Sequence, residues 1–148
     1  MSEPARPAKL VDTEATSVQT YLQILQGVIT RVATNSANCK GWCITLTAGI
    51  AALGTDPERH DLLIVAIIPI AVFGVLDGYY FLLEKRYRNR HDDVVAKVTR
   101  GQLEVTELFR VAPIKRAGDI EHVLLSFAMI PAYAFMIAVL VFLRFCWF

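Results

Sequence analysis

The sequence predicts an all-α integral membrane protein. A long N-terminal helix continues into a transmembrane hairpin, a helical cytosolic extension follows, and a third transmembrane helix closes the chain. Three observations carry this expectation. Apolar residues make up 55% of the 148 residues, and the mean hydropathy of +0.44 is high for a soluble domain. The 15 Lys and Arg and the 14 Asp and Glu largely avoid three apolar stretches, Gly41–Gly54, Leu62–Leu83 and Val123–Leu143. The second and third have the roughly 20 residues that cross a bilayer core as helix, if Asp77 is excused. Finally, the length fits one domain, with no internal repeat to suggest more.

Residues 1–16 are rich in Pro, Ala and charge and read as a disordered cytosolic tail. Residues 1–40 hold Glu3, Asp12 and Glu14 and no apolar core ahead of a cleavage site, so no signal peptide is expected and targeting falls to the first membrane helix. From residue 17, Val18, Tyr21, Leu22, Leu25, Val28, Ile29 and Val32 recur at helical spacing. No Pro interrupts residues 17–54, so the amphipathic helix and the first span form one helix. This extension compensates for the shortness of Gly41–Gly54. Lys40 and Trp42 suit a membrane interface, the first by snorkelling.

Gly54, Pro57 and their polar neighbours mark a turn, and the second span covers residues 62–83. Pro69 inside it should kink it. Gly74 and Gly78 form a small face suited to helix–helix contact. Residues 84–118 form a basic, helical cytosolic segment that Gly101 interrupts. Residues 119–148 hold the third span, with Asp119 as its N-cap and an external C-terminus.

Charge placement sets the orientation. Thirteen of the fifteen Lys and Arg residues lie before the first span or between the second and third, leaving only Arg59 and Arg144 elsewhere. The positive-inside rule puts the N-terminus in the cytosol and the C-terminus in the periplasm or outside, in a bacterial inner membrane.

Asp77 is costly inside an apolar helix, by about 2.5–3.5 kcal/mol on insertion scales. Fourteen residues back from Gly54 is Lys40, and fifteen on from Leu62 is Asp77, each about 21–22 Å from the turn at 1.5 Å per residue. The same count sets Asn35 and Ser36 near Tyr80 and Arg31 or Val32 near Glu84. A polar belt of Arg31, Asn35, Ser36, Lys40, Asp77, Tyr80 and Glu84 results. It either staples the hairpin and fixes its register, or it lines or gates a pore or receives a ligand signal. Lys85, Arg86, Arg88 and Arg90 read as a stop-transfer anchor that binds anionic lipid, or as a site for an anionic ligand such as a nucleotide signal.

Several classes of chemistry lack their signatures. The three cysteines, Cys39, Cys43 and Cys146, have no Cys-x-x-Cys spacing, and His60, His91 and His122 are scattered, so neither metal nor cofactor is expected. No P-loop, Gly-x-Gly-x-x-Gly, Gly-x-Ser-x-Gly or His-Glu-x-x-His motif occurs. No enzyme activity and no nucleic-acid partner are expected.

Two blocks carry a resemblance. One runs from Tyr21 through Arg31-Val-Ala-Thr-Asn-Ser36 to Lys40-Gly-Trp42; the other from Ile68-Pro69 through Leu76-Asp-Gly-Tyr-Tyr80 to Glu84-Lys-Arg-Tyr-Arg88. Together they resemble a widespread group of small bacterial inner-membrane proteins, over residues 21–88. The resemblance implies a membrane hairpin and no particular activity. The architecture is also similar to small membrane effectors of anti-phage systems. That similarity implies a homo-oligomeric effector or ion channel that permeabilises the inner membrane on a cytosolic signal. The alternative is a non-enzymatic scaffold, an accessory subunit holding a cytosolic partner protein at the membrane.

Overall fold

The computed structural model describes residues 16–56, 58–59, 61–119 and 129–146. Residues 1–15 of the expected tail, the start of the third span, His60, His122 and the last two residues lie outside them, and Thr16, the last residue of that tail, opens the first helix. The described residues are helical with no strand. Helix α1 runs unbroken over Thr16–Leu53, α2 over Leu62–Val65, α3 over Ile67–Thr99 and α4 over Ile130–Cys146, with a 3-10 turn at Val105–Phe109.

The second apolar stretch is helical throughout, with a one-residue interruption at Ala66 between α2 and α3, three residues before Pro69. Proline lacks the N–H that would bond the carbonyl four residues back, and its ring crowds that carbonyl. For Pro69 that residue is Val65, where α2 ends. Within α3, Pro69 then falls in the first turn, where its N–H is not needed. Pro131, second residue of α4, is accommodated the same way.

Helices α1 and α3 pack as an antiparallel pair with two cores. In the apolar half, Cys43 and Ala51 of α1 meet Leu63, Ala66, Ile70 and Leu140. In the polar half, Val18, Tyr21 and Leu25 meet Val94 and Leu103. Small side chains at Gly74 and Gly78 admit α4: a Cβ at Gly74 would lie 3.6 Å from the Tyr133 ring, and one at Gly78 would lie 3.3 Å from Met129 Cε.

The basic segment 84–118 is helical only as far as Thr99. A Schellman turn ends α3: Gln102 N–H donates to Lys97 O (2.9 Å) and Gly101 N–H to Val98 O (3.0 Å). Gly101 takes the left-handed conformation this requires, with φ of 65°. Beyond it the chain forms a strap of turns and extended backbone. Leu103 is buried, Leu108 and Val111 pack beside it, and Ile114 N–H donates to Arg86 O (3.3 Å). Apolar anchors spaced by this irregular backbone dock the strap where a helix would have turned some of them outward. Asp119 turns its carboxylate back to the Arg116 N–H (2.8 Å).

Among the described residues, one helical stretch is long and apolar enough to cross a membrane, Leu62–Thr99, whose most apolar 18-residue window has mean hydropathy 2.3. Only 28% of that window is buried within the chain, so its apolar surface faces outward rather than into a core. Helix α4 is apolar, with 17 described residues. Helix α1 has the length, 38 residues, without the hydropathy.

Candidate functional site: a buried carboxylate joining three helices

Asp77 sits where the apolar half of α3 meets α1 and α4, and it is fully buried. Lys40 Nζ lies 2.7 Å from Asp77 Oδ2 and 2.8 Å from Oδ1. Ser36 Oγ donates to Oδ1 and accepts from Lys40 Nζ at 3.2 Å. Tyr133 of α4 brings its hydroxyl within 3.2 Å of Oδ2 and 3.3 Å of the Phe73 carbonyl. One carboxylate thus takes donors from both neighbouring helices. Lys40 spans to it along its aliphatic stem while the Lys40 side chain stays 28% exposed.

Ser36 and Lys40 reach the same oxygen because residues four apart share a helix face. On that face follow Cys39 and Cys43, both buried with free thiols. Cys43 Sγ lies 3.6 Å from Met136 Sδ, joining α1 to α4 below the carboxylate.

The rest of the predicted belt is dispersed. Glu84 pairs with Arg88 on its own helix, Nη2 to Oε1 at 2.7 Å, and not with Arg31. Arg31 is exposed and Asn35 is half-buried. Tyr80 meets Tyr79 edge-on, with ring centroids 5.6 Å apart, rather than Asn35 or Ser36. The cross-helix register therefore centres on Asp77, and a local pair that needs no alignment between helices takes Glu84.

The basic cluster also divides. Arg90 is buried and engaged: Nε donates to Tyr21 Oη (3.2 Å), Nη2 to Glu107 O (3.4 Å), and Nη1 lies 3.7 Å from Asp93 Oδ2. Tyr21 Oη donates onward to Arg110 O (2.7 Å). Arg90 therefore ties the strap to α1 and is withdrawn from any lipid surface. Arg86 Nε lies 3.7 Å from Asp119 Oδ2. The Arg116 N–H, and then the charges of Lys85 and Arg86, hold the Asp119 carboxyl below the usual carboxylate range. Lys97 lies 2.5 Å from Glu107 Oε1, a bond that raises its pKa.

Two participants escaped the sequence reading. Tyr133 sits beyond a segment whose path could not be counted in helical rises. Arg90 looked like one more charge in a basic run, although a step of about 100° per residue sends neighbours to different faces.

The outer face of α1 is the second notable surface. Opposite its buried residues Val32, Ser36, Cys39, Cys43, Thr47 and Ala51 lie Thr30, Thr34, Asn38, Gly41, Thr45, Ala48 and Ala52, all exposed. Every one is small or polar. By contrast, exposed Ile64 of α2 and Ile68, Val72 and Val75 of α3 make a large apolar outer face. A Cβ at Gly41 would have no described atom within 4 Å.

Among the described residues, no group of three or more His, Cys, Asp and Glu is placed to hold a metal ion. No family model, curated protein or solved structure matches this chain.

Proposed function

We propose that this protein is an oligomeric channel or membrane effector whose pore face is the outer stripe of α1. One observation carries the reading: the stripe of α1 opposite its buried residues, from Thr30 to Ala52, holds only small or polar side chains, and the exposed Trp42, Ile44, Leu46 and Leu53 lie on its flanks. A helix facing lipid gains from large apolar residues, whereas small and polar residues mark membrane helices that pack closely or face water. One chain cannot enclose a pore, so several copies would bring this stripe to a common axis. On this reading Asp77 fixes the shape of each subunit and does not line the conduit.

The same proposal includes three spans, formed by the apolar parts of α1, α2–α3 and α4. It puts the polar half in the cytosol, as the Lys and Arg bias favours. The strap and its Arg90 anchor would then be the element through which a cytosolic signal acts. It extends to membership of the bacterial group that residues 21–88 resemble.

The test is ion efflux from liposomes containing the full chain, with particle mass measured after subtraction of detergent. Wild type should form one stable species of about four or more subunits and conduct, and Gly41→Leu or Thr45→Leu should cut conductance about tenfold by obstructing the lumen. A monomer without efflux would sink the channel reading. The scaffold alternative rests on Phe109, 84% exposed on the strap, as an apolar anchor for a soluble partner. A stoichiometric partner lost on Phe109→Ala would favour it.

A further inference from the structure

We infer that the groove between α3 and α4 is a binding site for one anionic phospholipid, its acyl chain lying along α3 between Ile70 and Leu82 and its phosphate beside Lys85 and Arg86. The inference rests on the membrane reading of α3, not on a pore. Beside the close contacts of Gly74 with Tyr133 and of Gly78 with Met129 runs an apolar groove of about 590 Å³, walled by Ile70, Leu82, Ile130 and Tyr133. From Ile70 to Leu82 it follows α3 for about 18 Å, at 1.5 Å per residue. That suits an extended hydrocarbon chain and exceeds any compact apolar solute.

The groove ends where the charge begins. Gly74, Gly78 and Leu82 lie four residues apart on one stripe of α3, and Lys85 and Arg86 continue it by helical spacing. Tyr79, which also lines the groove, is 58% exposed at this junction, as suits the headgroup level. Asp119 feels both cations, which leaves the trio a net charge of +1. A zwitterionic headgroup gains little there, and a phosphate carrying a net negative charge gains more. The site thereby assigns the two basic residues at the membrane end of the cluster to lipid, while Arg90, further out, serves the strap.

The experiment uses the full chain in detergent, stripped of native lipid. It is titrated with phosphatidylglycerol or phosphatidylcholine of the same acyl chains, and bound lipid is counted by native mass spectrometry. One phosphatidylglycerol per chain should be retained in preference to phosphatidylcholine. Lys85→Gln should reduce that preference about fivefold, the worth of one basic residue at an anionic surface. Ala71→Phe, which enters the groove from an exposed lining position, should reduce retention of both lipids and leave the preference intact. Equal retention of the two lipids by wild type, an unchanged preference in Lys85→Gln, or displacement by inorganic phosphate would overturn the inference. Release of the chain from native membranes by alkaline carbonate would overturn the membrane reading beneath it. A lipid-selective chain that fails to conduct would refute the channel alone.

Discussion

Removal of the Lys40 ammonium should destabilise the bundle severely. In Lys40→Met, Asp77 keeps the hydroxyls of Ser36 and Tyr133 and loses the one cation paired with it among the described residues, 2.7 Å away. Breaking a buried ion pair by deleting one partner typically costs about 3–5 kcal/mol, because a charge is left uncompensated. The exposed part of the Lys40 side chain argues for the low end, about 3 kcal/mol, or a factor of roughly 100 in the folding equilibrium. Deleting both charges together in Lys40→Met/Asp77→Leu removes the uncompensated group as well. The double variant should therefore recover to within about 1 kcal/mol of wild type, as apolar replacements of buried pairs often do. Reversible unfolding in mixed micelles, followed by helicity, measures all three proteins. A single variant within about 0.5 kcal/mol of wild type, or a double variant no more stable than Lys40→Met, would refute the account of Asp77 as a charge held by α1.

Two further predictions concern the polar half. Gly101→Ala places a Cβ in the left-handed conformation that ends α3 and should cost about 1 kcal/mol, read as faster proteolysis of the strap; unchanged proteolysis would count against the Schellman turn. Lys97 has a raised pKa in the folded chain, chiefly through its bond to Glu107. Its contribution is complete below the unfolded value of about 10.4 and is lost as pH rises through the higher folded value. Cleavage of the strap should therefore accelerate above that pH in wild type by more than in Lys97→Met, and equal acceleration in both would remove Lys97 from the strap's hold.

The sequence made legible what rigid rods determine. Helical rise and one short turn were enough to bring Lys40 opposite Asp77, because both arms can be counted in equal steps from Gly54 and Leu62. Where the chain stops being a rod, counting fails. The strap holds Leu103, Leu108 and Val111 by a 3-10 turn and extended backbone, so no single period relates its apolar residues. Tyr133 lies past that strap, and nothing in the spacing could set its depth against Asp77. Pro69 announced a disturbance but not its form; α2 ends at Val65 because a ring clash acts four residues upstream. Glu84 was assigned across the hairpin, yet Arg88 four residues along is always within reach.

Helix α1 spans 38 residues without interruption, a rod of about 57 Å. It is gripped at three heights: by Tyr21 and Leu25 in the polar half, by Ser36 and Lys40 at the carboxylate, and by Cys43 and Ala51 in the apolar core. A rod clamped near its middle is a lever. With Lys40 as fulcrum, the arm towards Thr16 is about 36 Å and the arm towards Leu53 about 20 Å. Sideways movement of the Thr16 end by about 4 Å would carry the Leu53 end about 2 Å the other way, with no change in any helical hydrogen bond. Strap, carboxylate and apolar core thus divide the work mechanically, the first restraining the long arm, the second supplying the pivot and the third restraining the short arm.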